Sequence, residues 1–408
     1  MKVAVFLSSL EPLHGGGFTF QDEIFHSLMR LEGRHSFVIF SNLGKDETEN
    51  FRSENLKFIS LQHSLSSTRK SKWDRIRDKA VAKLARSRNR PQPTYDEWLQ
   101  QTLKDQGIEF IWFVGQLYFV ETDIPYIFTI LDLQHRLQPW FPEVSSGGEW
   151  ASREMHFEKA IRRASTVIVG TEAGKNEVTA FYRISAERIK LIPHPTPSFA
   201  LMASKDGLEG LLSKYGIPGG YLLFPAQFWP HKNHVGLLLA VKLLRVKHGL
   251  QFPVVFVGSD PGNRQHVQEV TEELGLSSQV HFLGFVPQED IVGLYCNAFA
   301  LIYPTFFGPE NLPPLEAFAL GCPVIASNVA GAQEQLGDAA LLVDPRKEEQ
   351  IAMAIKRIYD DPALRQTLLE LGLKRARQWT GEDYVRSVLA IIDDFEPVRR
   401  CWGNRYPS

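Results

Sequence analysis

Residues 304–327 read PTFFGPENLPPLEAFALGCPVIAS. A polar Gly/Pro/Asn loop leads through a pair of prolines to one carboxylate, Glu316, just before an apolar helical run, residues 317–320. Gly321 closes that run, and a β-type run, residues 323–326, follows. A loop that ends at a helix start presents free backbone N–H groups and the positive end of the helix dipole. Phosphate oxygens bind at such places. A carboxylate just inside the same helix accepts hydrogen bonds from two adjacent hydroxyls, such as those of a ribose. Loop, helix and strand together predict an α/β unit with a nucleotide diphosphate at one helix N-terminus.

Reading outward, the same alternation fills the chain. In the first half, residues 3–7, 37–40, 110–114, 126–130 and 166–169 are short β-branched or aromatic runs bounded by polar residues or glycine. The second half repeats this at residues 221–224, 254–257, 280–283, 300–303, 324–326 and 340–343. Continuous apolar strands alternating with helical stretches predict parallel sheets buried on both faces. The stretch 193–220 holds Pro193, Pro195, Pro197, Pro218, Gly219 and Gly220 around one helical patch, residues 207–214, and reads as a linker. After Trp379, the run 381–395 places Tyr384, Val388 and Ile391, with Ile392 beside it, on one helical face that needs a partner.

The totals agree with this division. A chain of 408 residues suits two domains of about 200 residues each. The expected boundaries are residues 1–196, 197–378 and a terminal segment 379–408. A composition that is 44% hydrophobic and 23% charged argues for a folded globular protein. A formal net charge of -2 argues against a nucleic-acid partner. Cys296, Cys322 and Cys401 have neither zinc spacing nor a disulfide pattern, so a reducing cytoplasm is the expected location and no metal is expected. Residues 1–10 read as a first strand and not as a signal peptide. No apolar run approaches the roughly 20 residues that span a bilayer.

The block 304–327 resembles the donor site of family 4 retaining glycosyltransferases, which have the GT-B fold. The family pattern is Glu-Gly-Phe-Gly-Leu-Pro-x-Leu-Glu-Ala. Glu316 within LPPLEA matches its second glutamate; the first falls on Gly308 and is absent, with Glu310 two positions later. The family's first glutamate contacts the transferred sugar and its second the ribose. Residues 226–233, AQFWPHKN, resemble the family's Gly-Arg-Leu-x-Pro-x-Lys-Asn element, whose Arg and Lys neutralise the donor diphosphate. Lys232 matches the lysine, Gln227 stands at the arginine, and His231 offers an extra donor. The resemblance implies two Rossmann-like domains facing across a central cleft, with the C-terminal helix crossing back to the first domain.

Other loops then fall into place as expectations. Gly15-Gly16-Gly17 follows strand one, and glycines there allow close backbone approach. The dinucleotide pattern Gly-x-Gly-x-x-Gly is not met. The alternatives are a tight turn and a loop in which Gly16 and Gly17 face the donor phosphate or acceptor. Residues 132–136, DLQHR, follow a strand end that faces the ligand crevice in open sheets. Asp132 and His135 are therefore candidate catalytic groups with Lys232, against the plainer readings of a turn cap and a loop histidine. Gly258, Phe285 and Val286 follow two later strands and are candidates for the base pocket, although apolar residues there are also ordinary core. The backbone N–H groups of Asn311 and Leu312 are expected at the pyrophosphate, since Pro313 and Pro314 have none. The segment from Arg69 to Arg90 is basic and amphipathic; a surface helix and a peripheral membrane contact both fit.

The expected function is transfer of a hexose or deoxyhexose, mannose or rhamnose, from a nucleotide diphosphate sugar to a glycan or lipid-linked acceptor in surface-polysaccharide synthesis, with no cofactor. An epimerase or hydrolase of the same fold, or a non-catalytic nucleotide-sugar-binding subunit, are the alternatives.

Overall fold

The structure is a computed structural model and describes residues 1–7, 15–31, 33–42, 56–61, 94–204 and 210–402. The basic segment from Arg69 to Arg90 and the first part of the expected patch 207–214 lie outside the described residues.

Two parallel sheets carry the architecture. The first runs β3-β2-β1-β4-β5-β6-β7 and the second β10-β9-β8-β11-β12-β13. The strands of the first are β1 (Lys2–Phe6), β2 (Ser36–Ser41), β3 (Leu56–Ser60), β4 (Phe110–Phe113), β5 (Tyr126–Thr129), β6 (Thr166–Val169) and β7 (Ile189–Leu191). Those of the second are β8 (Leu222–Pro225), β9 (Val254–Val257), β10 (Val280–Gly284), β11 (Ala300–Tyr303), β12 (Val324–Ser327) and β13 (Ala340–Val343). Every pairing between these strands is parallel. The central strands β4, β5, β6, β9, β11 and β12 are buried throughout, which is why their sequences read as unbroken apolar runs. In both sheets the strand order reverses beside the first strand, between β1 and β4 and between β8 and β11. Ligands of open α/β sheets bind at this place.

Two strands are absent from the sequence reading, β3 and β7. Both are sheet edges, half-exposed, and carry Lys57 and Lys190. An edge strand has no need of a continuous apolar run, and lysines there oppose edge-to-edge association. The stretch 193–220 is more ordered than a plain linker: it contains the helices Ser198–Leu201 and Leu211–Tyr215.

The last helix, Gly381–Arg400, packs against the first-domain helix Gly16–Arg30. Thr380 starts it with a capping box: its hydroxyl accepts the N–H of Asp383, whose carboxylate accepts the N–H of Thr380. Tyr384, Val385, Val388 and Ile392 are fully buried; Ile391 is only partly buried. Each of the three aliphatic residues contributes about 1.5–3 kcal/mol by burial. The Tyr384 ring meets Phe20 edge-on at 5.5 Å and lies 6.5 Å from Trp112. Gly381 is needed for this approach, because a Cβ there would stand 2.1 Å from Glu23 Oε1 and 2.2 Å from Ser27 Oγ. Outside the helix contact, Trp379 Nε1 donates to the Pro193 carbonyl at 2.8 Å, and Arg34 and His35 hold Asp393. Two Rossmann-like sheets with a C-terminal helix returned to the first domain form the GT-B architecture.

Candidate active site

The loops after β1, β4, β5, β8, β9, β10 and β11 converge on one cavity of about 740 Å³ between the domains. Lys232 and Glu316, 84 residues apart in the chain, both line it. So do Gly16, Gly17, Asp132, Gln227, His231, Gly258, Phe285, Val286, Glu310, Asn311 and Leu312.

The loop carrying Lys232 is held from several sides. Asn233 adopts a left-handed conformation (φ 63°) and caps the helix His234–His248 by accepting the Gly236 N–H at 3.1 Å. Its amide donates to the Pro304 and Pro345 carbonyls at 2.9 and 2.8 Å. The His231 carbonyl accepts the Phe306 N–H at 2.8 Å and the Thr305 hydroxyl at 3.1 Å. Lys232 thus stands on a fixed backbone with its ammonium 5.5 Å from the centre of the Tyr303 ring. Among the described residues it makes no ion pair. Gln227 donates to Ser259 Oγ at 2.7 Å and accepts from Trp229 Nε1 at 3.1 Å. Gly15 (φ 67°) approaches this amide so closely that a Cβ would lie 3.2 Å from Gln227 Oε1.

On the other side, Glu316 belongs to the helix Leu312–Leu320 and is buried, with its Oε2 accepting the Tyr295 hydroxyl at 2.7 Å. Burial pushes its pKa up to about 7, opposed by that hydrogen bond. The helix N-terminus differs from expectation. Of its first four N–H positions, Pro313 and Pro314 have none, and the Asn311 N–H is taken by Gln335 Oε1 at 2.9 Å. Only the Leu312 N–H remains for a ligand among the described residues.

Glu310 stands on the cavity wall, but its carboxyl turns toward the first domain. It accepts the His194 N–H at 2.7 Å and lies over Gly170, where a Cβ would be 1.3 Å from Oε2. Burial pushes Glu310 up to about 8 and His194 down to about 4. Both shifts favour the uncharged forms, so their 3.7 Å approach carries little ion-pair character. Gly308 has φ 138°, and a Cβ would lie 2.6 Å from Asn311 Oδ1. A glutamate cannot occupy that position without rebuilding the loop.

His135 is the expectation that the structure overturns. It does not line the cavity. Its ring is fully buried, stacked on Phe157 at 5.2 Å, with Nε2 3.2 Å from Glu154. The short helix Gln134–Leu137 turns Gln134 to the cavity and the next residue away from it. Asp132 lines the cavity and accepts the Gln134 N–H at 3.0 Å and the Gln116 side-chain amide at 2.8 Å. Phe285 is 52% exposed whereas Val286 is buried, so only the first offers a free face. Gly258 (φ 148°) brings the β9 loop against the Ala226 carbonyl, where a Cβ would clash at 2.3 Å.

Sequence reading missed Gln116, Glu143, Arg153 and His194. Gln116 follows β4 at a strand end and was findable by the crevice rule. Glu143 and Arg153 lie on helices, and nothing local marks them.

Comparison with known proteins agrees with this geometry. A sequence model of the family described as Glycosyl transferases group 1 matches residues 216–375, which is less than half of the chain. O-antigen chain mannosyltransferase B of Escherichia coli is 28% identical over 231 residues, 56% of this chain and 61% of that protein. O-antigen chain mannosyltransferase RfbU of Salmonella typhimurium is 26% identical over 203 residues, 50% of this chain and 53% of that protein. The aligned part thus spans about half to three-fifths of these relatives. In fold, the chain is similar to Anabaena HepE in complex with UDP and glucose, with a TM-score of 0.70 at 16% identity, covering 97% of this chain and 100% of that one. The chain is a GT-B-fold protein related to glycosyltransferases. Among the described residues no helix is long and apolar enough to cross a membrane, and no cluster of His, Cys, Asp or Glu could hold a metal ion.

Proposed function

We propose that this protein is a metal-independent glycosyltransferase that moves a hexose or deoxyhexose, mannose or rhamnose, from a nucleotide diphosphate sugar to a glycan or lipid-linked acceptor with retention at the anomeric carbon. The observation that carries the reading is the shared cavity: Lys232 and Glu316 line one interdomain space. The relatedness to O-antigen chain mannosyltransferases supports the sugar class and a place in surface-polysaccharide synthesis. Peripheral membrane contact through the segment from Arg69 to Arg90 belongs to the same proposal.

In this reading Glu316 accepts hydrogen bonds from the two ribose hydroxyls, and the exposed ring of Phe285 lies against the base, with the buried Val286 in the same cavity wall. Lys232, the Leu312 N–H and the helix dipole hold the diphosphate. The negative charge of the leaving diphosphate grows as the glycosidic bond breaks, and an ammonium already in place stabilises it. The leaving phosphate takes the acceptor proton on the same face, so the protein positions the two substrates and needs no separate base. Asp132, at the first-domain wall, orients sugar or acceptor hydroxyls. Gln227 replaces a guanidinium by a neutral amide, which leaves Lys232 and the His231 ring as the basic groups of that loop.

A thermal-shift screen against UDP, GDP, ADP and dTDP sugars, followed by product analysis with and without glycan acceptors, tests the reading. Stabilisation by one nucleotide series and an acceptor-dependent glycoside are expected. Binding without turnover would favour the non-catalytic alternative, and an acceptor-independent product an epimerase or hydrolase.

A further inference from the structure

One carboxylate of the first domain reaches the loop that carries Lys232. Glu143 lies on the short helix Pro142–Ser145 of the first domain. Its side chain is 95% buried, being only 5% exposed, and lines the donor cavity. Oε1 accepts from the ring Nδ1 of His231 and stands 3.3 Å from the His231 backbone N–H. Oε2 is buried with no hydrogen-bond partner among the described residues. The His231 ring is further fixed by Phe141, edge-on at 6.2 Å. With Nδ1 committed to Glu143, the tautomer is set, and Nε2 has no protein partner among the described residues.

We infer that Glu143 is a positioning residue that acts through His231 across the domain boundary, holding Nδ1–H so that Nε2 meets an oxygen of the donor diphosphate. This rests on the glycosyltransferase reading of the same cavity. In the empty cleft, burial and then the neighbouring Lys232 lower the His231 pKa, against Glu143 and Asp132, which raise it; the buried ring of His234 also stands nearby. This balance favours the neutral imidazole. An arriving diphosphate brings negative charge to Nε2, and the ring takes up one proton from solvent, giving Nδ1–H to Glu143 and Nε2–H to the phosphate oxygen. A hydrogen bond between charged groups is stronger than its neutral counterpart. Because Glu143 and His231 sit on different domains, the pair that favours this second cation is complete only where the two domains meet.

The test is titration of the full chain with UDP and GDP between about pH 6 and about pH 8.5, for wild type, Glu143→Gln, His231→Asn and the double variant. Glutamine keeps the shape and the Nδ1–H acceptor but removes the charge, so the bound-state imidazole pKa falls. An affinity loss of up to about tenfold is expected. That loss is expected to be largest near pH 6 and to shrink toward about pH 8.5, as the ring loses its proton in both proteins. His231→Asn is expected to show the same convergence, and Glu143→Gln to add nothing in its background. A Glu143→Gln defect that is constant with pH, or no defect, overturns the inference and leaves the transferase reading standing. Wild type that binds neither nucleotide, nor ADP or dTDP, removes the diphosphate site and the inference with it.

Discussion

Glu316→Gln separates the cost of the buried carboxylate from its use. In the empty protein, burial raises this group from the ordinary 4.5 to about 7, which corresponds to about 3 kcal/mol. The folded pKa lies above the unfolded one. The associated stability is therefore fully present below about pH 4.5 and is lost progressively until the folded pKa is passed near pH 7. Glutamine does not ionise and escapes that loss. It still accepts the Tyr295 hydroxyl, but its amide N–H is poorly paired at a cost of about 1 kcal/mol. The variant is thus expected to be more stable than wild type by about 2 kcal/mol at pH 8 and slightly less stable near pH 4, so the two curves cross. Denaturant unfolding at several pH values measures this. With nucleoside diphosphate present the order reverses in function: the variant forfeits charge-assisted bonds to the ribose, and its affinity should fall at least about tenfold at pH 8. A variant less stable than wild type at pH 8 would refute the desolvation argument. An unchanged nucleotide affinity would take Glu316 out of the ribose site.

Lys232→Ala should lower turnover by about a hundredfold or more while leaving the melting temperature nearly unchanged, since the side chain makes no ion pair among the described residues. His135→Ala should do the opposite: it removes a buried stacked ring, costs about 1–3 kcal/mol in unfolding experiments, and leaves nucleotide affinity as it was. Gly381→Ala sets a methyl 2.1 Å from Glu23 Oε1. Glu23 is held in turn by the Ser198 N–H at 2.6 Å, so a loss of about 1–3 kcal/mol is expected. Gly170→Ala drives the Glu310 carboxyl off its seat on the first domain. Small-angle scattering should show a larger radius, and adding Glu310→Ala should restore most of the compaction.

Much of the second domain was legible because its chemistry is local. Residues 304–327 and 226–233 carry a loop, a helix start and a charged residue in continuous order, and their strands are central and wholly apolar. The edge strands β3 and β7 were not legible, because half-exposed lysine-bearing strands carry no such run. His135 misled for a related reason. A strand end points a loop at the crevice, but the turn of the next helix decides which of Gln134 and His135 faces it, and that depends on the apolar shelf formed by Phe157 and Trp150.

By itself, the sequence determined the two layers of parallel sheet, the amphipathic last helix and the separate positions of Lys232 and Glu316, since periodicity and residue type suffice for these. Only the tertiary structure decided that the two residues share a cavity, that Gln335 occupies the Asn311 N–H, and that Glu310 and Glu143 reach across to the opposite domain. Those facts depend on which surfaces meet when the domains pack. Contacts between residues far apart in the chain leave no local pattern to read.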